Sequence, residues 1–420
     1  MPGRLAVLHH RRSFFPPDLH EAVGDAAELL WVLPDGVEDA LLGRRLLRRL
    51  GPVIDVPTDD FDAAAEALAE HAVDGIITFV DDNLVLASEI AARLDLIYHT
   101  PEVARVLANK TLQRETLAAA GVAGPRFWSL PSGLDRAGVA EFAHDLSYPS
   151  VLKPTAGSGS RGILGLAGPH ELIEAYDPRS DYLIEEHLFD DPASDQRFAS
   201  YLSVESVVSH GEREHVAVCG RFPLAAPFRE TGNFIPAAVG VDTQERLFEL
   251  TDHAIEALGI RSAVLHTEIK LSPDGAKLIE VNGRLGGRPP FVLRTVSNVN
   301  LFRTACEVAL GAPVSGRGLA PTSGVGYWRM LQPPLEALRV RHVTGLRDLA
   351  DVPFVDSVRL SRAPGDAVDW RDGTDGKVLT VCGRVADLGE LADAIEQIEQ
   401  TVSIDYEYAV SVDLQPDVLG

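Results

Sequence analysis

Apolar and polar residues alternate along His266-Thr267-Glu268-Ile269-Lys270, break at Ser272-Pro273-Asp274-Gly275, and alternate again along Leu278-Ile279-Glu280-Val281-Asn282. A period of two on both sides of a turn-forming tetrapeptide predicts a β-hairpin. If its arms fold symmetrically about Asp274, Glu268 stands opposite Glu280 and His266 opposite Asn282. The reverse face then carries Leu265, Ile269, Ile279 and Val281 as a core side. In the first hundred residues, strand patterns at 4–8, 28–33, 53–56 and 75–80 are separated by helical ones such as 60–71. That alternation predicts a parallel sheet. No G-x-G-x-x-G follows the first strand, so a dinucleotide fingerprint is absent. Asp81-Asp82-Asn83 follows the last of these strands, where open α/β sheets place ligand loops. We read it in preference as the N-cap of a helix over 84–94.

Thr100-Pro101 opens a further helical stretch, continued over 110–120 and stopped by Gly121. Strands and glycines dominate from Pro125 to about Tyr182, and a region holding the hairpin reaches about Gly311. Beyond about Gly324, strand patterns at 378–382 and 406–412 alternate with a helix at 388–401. The clearest loops are Pro321-Thr322-Ser323-Gly324 and Arg362-Ala363-Pro364-Gly365. The C-terminal region lacks polar clusters, which fits a structural role such as dimer contacts.

A chain of 420 residues implies two to four domains. No apolar run approaches the roughly 20 residues that span a bilayer, and residues 5–8 are too short for a secretory core. Three cysteines, far apart and odd in number, oppose a disulfide framework or zinc cluster and fit a reducing cytoplasm. A net charge of -24 argues against nucleic-acid or anionic-membrane partners. Lysines in glycine-rich settings therefore stand out.

Two carboxylates placed opposite each other, Glu268 and Glu280, repel unless a hard cation such as Mg²⁺ lies between them. Arg284, just past the hairpin, carries a planar fork suited to a phosphate or carboxylate. Residues 150–154 form a strand that delivers Lys153 into Thr155-Ala156-Gly157-Ser158-Gly159-Ser160-Arg161-Gly162, whose amides can surround phosphate oxygens. The lysine precedes the glycines, so this is not a Walker A loop. Tyr182-Leu183-Ile184-Glu185-Glu186-His187-Leu188 is an apolar strand ending in two acids, against which an adenine can lie with an acid on its exocyclic amine. Taken singly, each of these elements has an ordinary structural reading: a solvated acidic face, a flexible turn, a strand end, a surface lysine at Lys110.

Their order resembles the ATP-grasp superfamily over roughly residues 75–310. Asn109-Lys110 comes first, then Tyr148-Pro149-Ser150-Val151-Leu152-Lys153-Pro154 and its Gly/Ser loop, Ile184-Glu185-Glu186-His187-Leu188, Ser203-Val204-Glu205-Ser206, and Glu268 with Glu280-Val281-Asn282-Gly283-Arg284. The resemblance implies an α/β fold with a Rossmann-like N-terminal domain (1–105), a small lobe with linker helix and lid loop (106–182), and a large lobe with an antiparallel sheet (183–323) extended by residues 324–420. It implies ATP phosphates on Lys110 and Lys153 under a lid containing Ser158, Gly159 and Gly162, and adenine at Glu185, Glu186 and Leu188. Mg²⁺ (or Mn²⁺) falls to Glu268, Glu280 and Asn282, with Arg284 steadying the transferred phosphoryl group. Among its members the chain looks most like the bacterial L-amino-acid ligases, through Phe228-Arg229-Glu230-Thr231-Gly232-Asn233-Phe234-Ile235-Pro236, residues 267–271 and Leu285-Gly286-Gly287. That implies an amide bond formed between small-molecule carboxylate and amine substrates through an acyl-phosphate, in a homodimer. Glu230, Asn233, His266, Arg284, Gly287 and Arg288 are the implied substrate contacts. Asn233 replaces a histidine of those ligases. Arg288 stands where some carry a bulky aromatic, and its charge favours an acidic or larger peptide substrate unless a neighbouring acid pairs with it. A different carboxylate, a carrier-bound acceptor, or a non-catalytic nucleotide module are the competing readings.

Overall fold

The computed structural model describes residues 3–36, 41–316 and 318–408. Strands Gly3–Leu8, Ala27–Pro34, Val53–Val56 and Gly75–Thr78 form a parallel sheet in which Gly3–Leu8 lies between Ala27–Pro34 and Gly75–Thr78. Chain order reverses at that point, so the loops after Leu8 and after Thr78 open a crevice at the strands' carboxyl ends. Helix Phe61–Ala69 packs with helix Leu84–Leu94 against the sheet and is capped by Asp60, whose side chain accepts from the Ala63 amide.

Asn109 ends helix Pro101–Ala108 and caps helix Lys110–Ala119, accepting from the amides of Thr111 and Leu112. This fixes Lys110 at the first helical position. The small sheet is antiparallel, in the order Phe127–Leu130, Tyr182–Glu186, Ser150–Pro154, Leu164–Leu166.

An eight-stranded antiparallel sheet dominates the molecule. Its order is Gly275–Asn282, Ala263–Ser272, Ala199–Ser209, Glu212–Arg221, Gly232–Ile235, Val325–Leu331, Leu379–Val385, Val355–Leu360. Strands Val325–Leu331, Leu379–Val385 and Val355–Leu360 of the C-terminal region thus complete this sheet. The expected strand at 406–412 is seen as Ser403–Tyr408, paired with Ala337–Thr344, and the rest lies outside the described residues.

One apolar core joins the parallel sheet to the large one. Leu5, Phe14 and Trp31 share it with Val207, Cys219 and Ile235, through Phe302 and Cys306 of helix Leu301–Ala309. Among the described residues, no helix is long and apolar enough to cross a membrane.

Candidate active site

The hairpin register is the one expected from symmetry about Asp274: His266 pairs with Asn282 and Glu268 with Glu280. A bulge then intervenes, since Ile269 pairs with Leu278. It leaves Ile279 unpaired and turns it to the cavity wall, while Leu278 becomes fully buried. The expectation of Ile279 on the core side is therefore corrected, because strict alternation cannot anticipate a bulge.

Gly275–Asn282 is an edge strand, and helix Lys110–Ala119 covers it. The Gln113 side chain accepts from the Val281 amide at 2.7 Å and donates to the Val281 carbonyl at 2.9 Å. Arg114 Nη1 donates to the Leu278 carbonyl at 2.8 Å. This stitching holds Lys110 over the hairpin, with its ammonium donating to Glu280 at 2.8 Å and to the Gly157 carbonyl at 2.7 Å. Burial opposes the charge on Lys110, but Glu280, Asp81 and Glu268 outweigh it and raise its pKa.

Lys153 enters from the small sheet and pairs with Glu185, which also accepts from Arg114 Nε at 2.7 Å. Burial works against ionising Glu185, and the two cations overcome it and lower its pKa. Glu186 accepts from Arg126 at 2.6 Å at the surface. Both acids are ion-paired here, and Glu185 joins Lys153 to Arg114. Leu188 lies on the cavity wall beyond them.

Arg284 Nη2 donates to Asp81 at 2.7 Å and to the Asn282 side-chain oxygen at 3.0 Å. The cap reading of Asp81-Asp82-Asn83 is therefore corrected as well. These residues form a short 3₁₀ turn before helix Leu84–Leu94, Asn83 makes no side-chain cap, and Asp81 faces the site.

Behind the hairpin, His266 Nδ1 lies 2.7 Å from Glu205 and Nε2 lies 3.3 Å from Glu268. Desolvation disfavours its protonation, but the Glu205 and Glu268 carboxylates prevail and push its pKa up to about 9. Burial likewise opposes the Glu268 charge, yet His266, Tyr201 and Arg221 hold its pKa down to about 2. Buried Arg221 donates to Glu230 at 3.1 Å and lies 3.2 Å from His266 Nε2. Asn233 is buried beside them, its side-chain oxygen without a hydrogen-bond partner.

The Gly/Ser loop carries positive φ at Gly157, Gly159, Ser160 and Gly162. It rests on the C-terminal region: the Thr374 amide donates to the Gly159 carbonyl at 2.9 Å, and Arg161 approaches Asp375 at 3.4 Å. Thr374, Asp375, Lys377 and Thr380 line the cavity. This corrects the expectation of a merely structural C-terminal region, whose isolated polar residues cluster only after folding.

All the sequence-predicted site residues except Gly162 line one cavity of about 800 Å³, bounded by the crevice, the small sheet and the large one. Gly162 closes the lid loop at φ +69°, where a β-carbon would meet the Pro154 ring at 2.9 Å. Sequence reasoning ranked the ligand-loop reading of Asp81 second, missed Arg114, Tyr201, Arg221 and the C-terminal residues, and assigned Glu205 no role. An arginine inside an apolar strand was the one available signal for Arg221. Two facing carboxylates and Asn282 suit Mg²⁺, which takes one or two protein acids and completes its shell with phosphates and water. Among the described residues, no group of three or more His, Cys, Asp or Glu side chains is placed to hold a metal ion.

No family model matches the chain. It is similar to the alanine–anticapsin ligase of Bacillus subtilis, 27% identical over 259 residues, which cover 54% of each chain. The chain thus spans about half the length of that relative. Among solved structures, an L-amino acid ligase from Bacillus licheniformis matches with a TM-score of 0.77 at 18% identity, over 96% of this chain and 99% of that one. The biotin carboxylase domain dimer of 2-oxoglutarate carboxylase from Hydrogenobacter thermophilus, in complex with MgADP and bicarbonate, matches at 0.67 and 14%, over 97% and 91%. The chain has the ATP-grasp fold and is similar to ATP-dependent ligases that share it.

Proposed function

We propose that the protein uses ATP to join two amino acids, or an amino acid and a short peptide, through an acyl-phosphate. The observation that carries this reading is the ring of Lys110, Lys153 and Arg284 around the facing pair Glu268 and Glu280. A carboxylate oxygen attacks the γ-phosphorus, the bond to the β-phosphate oxygen breaks, and ADP leaves. The amine of the second substrate then attacks the acyl carbon, loses a proton, and expels phosphate.

Lys110 and Lys153 bind phosphate oxygens and balance charge where it develops. Arg284, held by Asp81, orients the reacting carboxylate and the transferred group. Glu268, Glu280 and Asn282 would hold Mg²⁺, with Mn²⁺ as a substitute, to neutralise phosphate charge. Glu230, Asn233 and His266 form the polar floor under the amino acid, and Gly287 leaves it room. Ser158, Gly159 and Gly162 let the loop approach phosphates closely, and its contact with Thr374 keeps water from the acyl-phosphate. Leu188 offers an apolar surface to the adenine. Unpaired cysteines support a cytoplasmic setting, and the dimeric neighbour supports a homodimer.

The test is ADP formation from Mg·ATP with pairs of amino acids, with products identified by mass spectrometry. ADP release should require both substrates and yield a new amide mass. Glu280→Ala should lower the rate by about 100-fold or more. Nucleotide hydrolysis indifferent to amino acids would sink the reading.

A further inference from the structure

Away from the phosphate end, the cavity continues between Arg288 and the C-terminal strands. Leu379 and Val381 of strand Leu379–Val385 are fully buried in the core, so Thr380 faces the other way, to the cavity. Arg359 pairs with Thr380 in register, and Ser361 follows two residues on. Trp328 stands on the next strand, with the Arg288 guanidinium 5.7 Å from its ring centroid.

The charges here are unevenly matched. Arg288 makes no carboxylate ion pair among the described residues, and its buried Nε has no hydrogen-bond partner. Among the described residues its guanidinium makes one hydrogen-bond contact, a long 3.5 Å approach to the Gly287 carbonyl. Lys377 lies 3.5 Å from Asp375, an acid it shares with Arg161. Burial, then the charge of Arg288, draws the Lys377 pKa down to about 8, so a bound anion would relieve both. Arg359 faces Asp18, whose carboxyl is raised by burial against the pull of that arginine. Arg288 is half-buried, and a buried donor such as its Nε costs free energy until an acceptor completes it.

We propose that this end of the cavity is an anion subsite for a second, non-reacting carboxylate of the substrate pair, with Arg288 as its principal contact and Lys377, Arg359, Ser361 and Thr380 around it. The inference rests on the ligase reading and adds a substrate requirement to it. That carboxylate has two sources: the side chain of an acidic donor amino acid, or the α-carboxylate of the amine acceptor.

Steady-state kinetics of the full chain with Mg·ATP separate them. One arm compares glutamate with glutamine and aspartate with asparagine as donors; the other compares an acceptor amino acid with its α-carboxamide. In one arm, loss of the carboxylate should raise KM about tenfold or more, with kcat moving far less. Arg288→Met should raise KM for the carboxylate substrate alike, and Arg288→Lys should recover much of it. Lys377→Met carries the same test should Arg288→Met fail to fold. Indifference in both arms, or equal losses on charged and uncharged substrates, overturns the subsite. If no pair yields ADP, the ligase reading fails by itself, and the melting midpoint still decides the subsite. A rise with the carboxylate compounds but not their amides, lost in the Arg288→Met or Lys377→Met chain, supports it. Equal shifts, or none, overturn it.

Discussion

Lys110 and Lys153 each stand against a carboxylate, Glu280 and Glu185, before any ligand is considered. The two pairs differ in what surrounds them. Glu280 shares its wall with Glu268 and is open to the cavity, so phosphate and metal charge can exchange partners with it. Glu185 is buried between Arg114 and Lys153 and pairs with both. Glu185→Gln leaves two cations without their counter-charge and should destabilise the chain by about 3–5 kcal/mol in urea unfolding. A loss below about 1 kcal/mol would show that the pair is not structural. Because the folded-state pKa of Glu185 is depressed, its stabilisation is present above the ordinary carboxylate range and disappears as pH falls through the folded value. The glutamine variant should therefore show a shallower acid-side stability profile than the wild type. Asp81 acts on a single group: Asp81→Asn weakens the hold on Arg284 and should lower kcat about tenfold with KM for ATP little changed. An equal fall in nucleotide affinity would mean that Asp81 serves the nucleotide site as a whole.

Among elements, the lid loop depends on a turn more than two hundred residues away. Gly373 adopts φ +65°, and a β-carbon there would meet the Gly159 carbonyl at 2.1 Å and the Arg161 amide at 3.0 Å. Gly373→Ala must push the lid off its seat as well as strain the backbone. It should raise uncoupled ATP hydrolysis relative to amide formation, because water reaches the acyl-phosphate. An unchanged ratio would show that the contact does not govern closure. The linker helix is similarly tied to the hairpin edge by Gln113. Gln113→Leu removes both bonds to Val281 and should cost about 1–3 kcal/mol while displacing Lys110.

Across the whole molecule, the parallel sheet and the large sheet meet in one core around Phe14, Trp31 and Phe302. Phe302→Ala should cost about 3–5 kcal/mol, read from the shift of the denaturation midpoint. The N-terminal sheet and the large sheet should still unfold together, since the lost contacts belong to both. Two separated transitions in the wild type would show that the shared core does not couple them. The same junction brings Arg284 and Asp81 together across more than two hundred residues, so catalytic geometry depends on its packing.

Local order was legible in the chain itself. Alternation placed the hairpin, its register and the facing carboxylates, and helical periodicity placed the helices that begin at Lys110 and Leu388. These follow from side-chain period and short-range hydrogen bonds, which depend on neighbours in sequence. What lay between distant segments was not legible. The bulge that turned Ile279 outward, the Asp81–Arg284 pair, the Arg114–Glu185–Lys153 arrangement and the C-terminal seat of the lid all join residues whose separation carries no periodic signal. Sequence determined which residues could bear charge and which faces could be buried. Tertiary structure alone decided which charges would be matched inside the protein and which, like Arg288, would be left for a ligand, because burial and proximity exist only once the sheets have met.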